Sequence, residues 1–240
     1  MSITHETVLF LDTSQSWLDI VLSRGSMHWH RHLGEARRAF QDLHILIKEL
    51  LTEADIQKPD VIGAARGPGS FTGVRIGVST ARNLAQLWQI PVFGIDSLAL
   101  PAWQYWHQAN KQHLDWPSGG VWVAVDARQN KVYARHFATP ESLLAQAAQP
   151  KILDVELTAL TEMHMRSGLL LLEGSQQKGI AHSPPGIEIQ AWPAHSAEAL
   201  NACARELSRI APSGHWSQLS PIYVRPDPAN AHNPAGFQHQ

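Results

Sequence analysis

The sequence is short of several things that mark whole classes of protein. It holds one cysteine in 240 residues, Cys203, so no disulfide framework can brace it, and a reducing compartment is expected. No apolar run nears the ~20 residues that cross a bilayer. The first seven residues lead into a strand with no apolar leader core, so the expectation is a cytoplasmic chain with no membrane partner. With 19 Lys+Arg against 21 Asp+Glu, the formal net charge is −2. A chain that grips nucleic acid alone carries a basic excess, so any RNA contact is expected to be shared with a partner. The glycine-rich segment Gly67-Pro68-Gly69-Ser70-Phe71-Thr72-Gly73 lacks the Gly-Lys-Ser/Thr closure of a P-loop and the dinucleotide spacing, and no HExxH occurs anywhere. Ser70 has glycine one residue before it rather than two, which rules out a nucleophile elbow.

What is present alternates between strand and helix periods. Val8 to Leu11 is a short apolar run ending in the turn formers Asp12-Thr13-Ser14. Leu18, Ile20 and Leu22 then alternate with other residues as in a half-buried strand, and a third strand is expected over Met27–Leu33. From 36 to 54 the period is helical, with Phe40, Leu43, Ile47 and Leu50 on one stripe, widened by Ile45, Leu46 and Leu51. A buried strand over Val61–Ala65 precedes the glycine loop. A second helix is expected from Val74 to Trp88, stopped by Pro91, and a strand follows at Val92–Ile95. Residues 101–119 hold three prolines or glycines and three tryptophans with little periodicity, which suggests a lobe boundary. Trp103, Trp106 and Trp116 are expected to fill a lobe interface. Val121–Val125 and Lys131–Phe137 read as a hairpin around Asp126-Ala127-Arg128. Leu169–Leu172 reads as a buried strand, and Ser196 as the cap of a helix over 197–210 closed by Pro212. This pattern gives an α/β fold, with a first lobe over 1–100, a second over 101–225 whose closing helix can return to the first, and a tail over 226–240.

Three features invite a function. Glycines between a strand and a helix let the backbone approach another group, and the helix N-terminus offers N–H donors. The residues alone leave a structural turn and an anion or partner contact both open. Gly73, Gly77, Ala81 and Ala85 recur every four residues, a stripe of small side chains that lets another helix come close. That helix can belong to a partner or to the same lobe. His28, His30 and His32 share one strand face, which is expected to be solvated, with no carboxylate beside it to complete a metal site.

The run Gly67 to Gly77 (Gly-Pro-Gly-Ser-Phe-Thr-Gly-Val-Arg-Ile-Gly) strongly resembles the signature of the TsaB (YeaZ) family. Leu11-Asp12-Thr13-Ser14, Ile90 to Leu98, Asp126-Ala127-Arg128 with Val132-Tyr133, and Pro221-Ile222-Tyr223-Val224-Arg225 resemble further family segments in the right order. Residues 138–195 carry little that matches. The resemblance implies two ribonuclease H-like lobes of the actin/sugar-kinase/heat-shock ATPase type. It also implies a role in placing a threonylcarbamoyl group on the adenosine beside the anticodon of certain tRNAs. The transfer chemistry would belong to a larger TsaD-like catalytic subunit, joined by a TsaE-like ATPase, and this chain would be a non-catalytic partner that forms a homodimer when alone. Phe40, Leu43, Ile47, Leu50, Gly73, Gly77, Ala81 and Ala85 are the expected partner interface. Asp12, Thr13, Gly67, Gly69, Ser70, Thr72 and Arg75 are the expected vestigial nucleotide or anion cleft, with no metal and no cofactor, although a weak nucleotide contact stays open. Glu173-Gly174-Ser175 stands where a double-glycine adenosine turn is expected and has one glycine. The rival readings are a small-molecule kinase or ATPase using the same cleft and, behind it, a metallopeptidase.

Overall fold

The computed structural model describes residues 7–34, 36–145, 150–173, 183–193, 196–210 and 214–225, without the side chains of 36–40. Its elements are β1 (Thr7–Asp12), β2 (Leu18–Arg24), β3 (Met27–Leu33), α1 (Ala36–Glu53), β4 (Val61–Ala65), α2 (Phe71–Trp88), β5 (Val92–Ile95), α3 (Ala99–Lys111), β6 (Val121–Arg128), β7 (Lys131–Phe137), β8 (Leu153–Glu156), the short α4 (Leu157–Ala159), β9 (Gly168–Leu172), β10 (Ile187–Ala191) and α5 (Ala197–Ile210). They build two five-stranded sheets of the same topology. In the first, β1–β2–β3 is an antiparallel meander, and β4 and then β5 add in parallel beside β1. In the second, β6–β7–β8 is the meander, and β9 and β10 add in parallel beside β6. The two halves repeat the same fold although no sequence repeat is apparent between them.

The layers follow from side-chain alternation along buried strands. Leu9 and Leu11 of β1 face outward into a core closed by α1 and α2, with Leu43, Ile47, Leu50, Val74 and Val78. Val8 and Phe10 face inward into a core shared by both sheets, filled by Leu98, Leu100 and Ala102 of α3 and Leu200, Cys203 and Leu207 of α5. A third core backs the second sheet through Ala124, Val132, Leu170 and Leu172. The closing helix α5 packs on α3 and on β1 to β4 of the first sheet. Its cap is Ser196, whose Oγ accepts the Ala199 N–H at 3.2 Å. Burial pushes the Cys203 thiol well above its ordinary range, so this cysteine is an inert core residue.

Three expected boundaries move. Residues 99–111 are a helix rather than part of a linker: Pro101 sits in its first turn, where a missing N–H costs nothing. Trp103, Trp106 and Trp116 pack against the shared core, as the interface reading expects. Helix α2 starts at Phe71 rather than Val74, because Ser70 caps it through the Gly73 N–H at 3.2 Å. The β6–β7 turn lies at Arg128, Gln129 and Asn130, all at positive φ, so Asp126 and Ala127 belong to the strand before it. Residues 226–240 lie outside the described residues, as do Gly174 and Ser175.

The expected docking stripe is corrected. Gly73, Gly77, Ala81 and Ala85 are buried inside the first lobe, where α2 lies over β4 and β1. A Cβ at Gly77 would sit 2.2 Å from Thr13 Oγ1. The small residues therefore let the helix settle on its own sheet, and no partner helix reaches them. Leu43, Ile47 and Leu50 likewise point into this core, each contributing about 2 kcal/mol by burial. The side chain of Phe40 lies outside the described residues. What the two helices leave exposed is Ile45, Phe71 and, at 73%, Leu87.

The C-terminal segment ties the lobes together. Ile222 N–H donates to Arg66 O at 2.7 Å on the first lobe. Arg225 grips Asp154 of the second lobe with two bonds of 2.6 and 2.7 Å and donates to Ala127 O at 3.0 Å. The Arg225 bonds hold the Asp154 carboxyl below the usual carboxylate range.

Two outcomes follow. Ala81→Glu buries an unpaired charge, which costs several kcal/mol out of a domain stability of ~5–15 kcal/mol. Circular dichroism melts should show a collapsed Tm, whereas Asn83→Glu on the exposed face should leave it unchanged. The Asp154–Arg225 pair lowers a folded carboxylate pKa, so its stabilisation is full above the unfolded value, about 3.9, and fades as pH falls through the lower folded value. Being partly exposed, the pair is worth about 1 kcal/mol or less. Urea melts of wild type and Arg225→Ala should differ at pH 7, and the difference should shrink as the pH falls below about 3.9 and through the lower folded value. A difference that persists undiminished in acid would assign the effect to packing alone.

Candidate functional site

The first hairpin and the glycine loop meet at the C-terminal ends of β1 and β4, where ligands of such open sheets bind. Asp12 Oδ1 accepts the Ser14 N–H at 2.9 Å and the Ser14 hydroxyl at 2.7 Å, which closes the turn. The loop then clamps that turn. Ser70 N–H donates to Ser14 O at 2.6 Å, and Thr13 Oγ1 donates to Gly73 O at 2.7 Å. Gly67 N–H donates to Ser97 Oγ at 2.9 Å, and Ser97 N–H returns a bond to Gly67 O at 3.0 Å. At Gly69 a Cβ would fall 2.0 Å from Ser14 O, so only glycine lets the two backbones touch. The amides of Gly67, Ser70 and Gly73 are thus spent within the protein. A phosphate cradle needs such amides turned to the ligand.

The seven expected cleft residues divide between different places. Asp12 borders the space between the lobes, Thr13 is fully buried beneath α2, and Gly67, Gly69 and Ser70 form the clamp. Thr72 and Arg75 face outward on α2. The Arg75 guanidinium lies 3.7 Å from the Phe71 ring centroid, and its Nε donates to Tyr223 Oη at 2.9 Å.

The second lobe repeats the first turn. Asp126 ends the apolar run of β6 as Asp12 ends β1, and its Oδ1 accepts the Arg128 N–H at 2.8 Å. Glu173 follows β9 as Arg66 follows β4. Burial raises its carboxyl, opposed by a hydrogen bond from the Asp126 backbone N–H and aided to a lesser degree by the Asp126 charge. Between the lobes Arg135 Nη1 holds Asp96 Oδ2 at 2.5 Å. Burial raises the Asp96 carboxyl despite the pull of Arg135 and Arg66, and burial lowers Arg66 in turn. A pocket lined by Asp12, Gln15, Trp17, Ser97, Gln104 and Trp192 offers about 20 Å³ of interior. That is room for one water, against the several hundred Å³ a small ligand fills. Trp17 and Trp192 meet edge to face across it at 5.9 Å.

The histidine face also differs from expectation. A carboxylate does lie beside it: His30 Nε2 and His32 Nδ1 stand 2.8 and 2.9 Å from Oδ1 of the buried Asp19. Asp19 is on β2, directly opposite His32 in the β2–β3 register, so the hairpin pairing was the signal that could have found it. Among the described residues no group of three or more His, Cys, Asp or Glu is placed to hold a metal ion. The pattern of the sequence also missed Asp96 with Arg135, and Trp17 with Trp192, because each pair closes over more than thirty residues of chain.

Comparison with known proteins agrees with this architecture. The family model described as TsaD, tRNA N6-adenosine threonylcarbamoyltransferase, matches residues 35–188, more than half of the chain. A Bacillus subtilis protein named tRNA threonylcarbamoyladenosine biosynthesis protein TsaB is 34% identical over 147 residues, 58% of each chain. The Escherichia coli protein of the same name is 30% identical over 138 residues, 56% of each. The chain thus spans a little over half the length of the curated relatives it matches. A crystal structure described as an uncharacterized protein with similarity to the peptidase YeaZ, from Pseudomonas aeruginosa, superposes with a TM-score of 0.70 at 25% identity. It covers 92% of this chain and 100% of that one. The chain belongs to the family that the TsaD model describes and, within it, groups with the TsaB (YeaZ) proteins.

Proposed function

We propose that this chain is a non-catalytic subunit in the synthesis of threonylcarbamoyladenosine on tRNA. It would act beside a TsaD-like catalytic subunit and a TsaE-like ATPase. One observation carries the reading: the glycine loop spends three amides within the protein, Ser70 on the first hairpin, Gly67 on Ser97 and Gly73 on Ser70, next to a pocket with room for about one water. Such a site supports a nucleotide contact that is weak at best. The names of the TsaB relatives supply the pathway. The kinase or ATPase reading draws support from one feature, the Glu173 carboxyl raised by burial, since active sites are where perturbed acids gather.

Partner docking moves to the outer layer of the first lobe, where Ile45 and Leu87 are exposed and Leu46, Ile76 and Leu84 are half-buried. The same surface serves self-association when the catalytic subunit is absent. Access to tRNA would come through the complex, and a cytoplasmic site of action is part of the proposal. Among the described residues no helix is long and apolar enough to cross a membrane.

Reconstitution tests the assignment. Omitting this chain from a mixture of catalytic subunit, ATPase, ATP, threonylcarbamoyl donor and tRNA should drop modification to background, and the chain alone should give none. Leu87→Asp should weaken capture by the catalytic subunit by about tenfold or more without lowering Tm. Full modification in the chain's absence, or transfer by the chain alone, would contradict the proposal.

A further inference from the structure

Two stretches of the sequence stand out as the longest without an acidic residue. Residues 61–95 run from Asp60 to Asp96 without Asp or Glu, and residues 207–225 are equally free of them, in a chain with 21 acidic residues. The fold lays these stretches side by side. After α5 the chain returns along α2, with Trp216 and Leu219 against that helix's core, and then passes Tyr223 beside Arg75. The shared surface carries two arginine–aromatic units. Arg75 stacks on Phe71 at 3.7 Å and bonds to Tyr223. Arg82 lies 5.8 Å from the Trp216 ring, which in turn contacts His215 at 4.8 Å. Phe71 and Tyr223 remain 45% and 49% exposed. On one helix a spacing of seven residues puts the two units about 10 Å apart on the same side.

We propose that this strip binds single-stranded RNA. The chemistry is that of a stacking platform on a cationic track: aromatic rings and guanidinium planes receive bases, and arginines meet phosphates. Among the described residues the two stretches that build the strip carry no carboxylate to repel the phosphates, although the chain as a whole is slightly acidic. The proposal deepens the tRNA reading above and rests on it. It assigns to this subunit an auxiliary grip on an unpaired stretch of the substrate, too weak to hold tRNA without the complex. Ser79, exposed between Arg75 and Arg82 on α2, lies inside the strip and offers a probe that leaves both arginines and all the rings in place.

The test uses the full chain and a fluorescein-labelled oligoribonucleotide of about twelve nucleotides, within the ~4–16 that such platforms cover, in about 50 mM salt. Fluorescence anisotropy should show binding that Phe71→Ala with Tyr223→Ala weakens on the order of tenfold or more. Arg75→Gln with Arg82→Gln should lower the log–log salt slope by about 1.4, at ~0.7 per phosphate contact for single strands. Ser79→Glu should weaken binding with no change in Tm, which keeps the test sound if an aromatic variant folds poorly. Absence of binding by wild type, or wild-type affinity in Ser79→Glu and the arginine pair, would overturn the proposal. So would aromatic variants that bind RNA as wild type does, which would reduce the strip to a nonspecific anion surface. Variants that lose the catalytic subunit but keep RNA would overturn it in favour of a protein interface. RNA affinity is read without the modification reaction, so its failure leaves the reconstitution result standing, and the reverse also holds.

Discussion

The first lobe depends on one backbone contact, the approach of Gly69 to Ser14, with the Ser70 amide bonded to the Ser14 carbonyl at 2.6 Å. A side chain at Gly69 cannot fit, so the loop reaches the hairpin only through glycine. Once it does, Thr13 is trapped beneath α2, and Gly77 must be small to cover it. The same loop holds Ser97 by a reciprocal pair of bonds, which sets Asp96 for Arg135 and starts α3. One close approach thereby fixes a hairpin, the seat of a helix and the first contact between the lobes.

The same contact bears on function. Loops of this kind serve phosphates when their amides face an empty cleft. Here three of those amides bind the protein itself, and the Trp17–Trp192 pair narrows what space remains. The second lobe carries the equivalent turn at Asp126 and the raised Glu173. The duplicated architecture thus keeps both carboxylate turns, with a pocket of about 20 Å³ between the lobes beside Asp12. On the proposed reading, a chain that retains the frame while offering little ligand space is suited to support a related catalytic chain. In that proposed role its outer surfaces carry the importance.

Much of the fold was legible because its elements obey local periodicity. β3, β4, β5, β7 and α5 fall where alternation, apolar runs and the Ser196 cap put them. Helix α3 was hidden because Pro101 reads as a breaker although it occupies the first turn, and its tryptophans obscured the helical period. The repeated sheet was invisible because topology survives when side chains do not. At the site, local sequence gave the glycine loop but not its orientation. The Gly73–Ala85 stripe carries no mark of which neighbour it packs on, and only the position of Thr13, sixty residues before Gly73 in the chain, decides it. Asp19 beside His30 and His32 was missed for the same kind of reason, since strand pairing and not spacing brings them together.

The central claim is that the inter-lobe cleft is filled by the protein's own contacts rather than held open for a nucleotide. Isothermal titration of Mg-ATP into the full chain tests it most directly. The account predicts no saturable binding below about 1 mM, a free energy weaker than roughly −4 kcal/mol. Saturable binding near 1 µM, about −8 kcal/mol, that is lost in Asp12→Ala would contradict it.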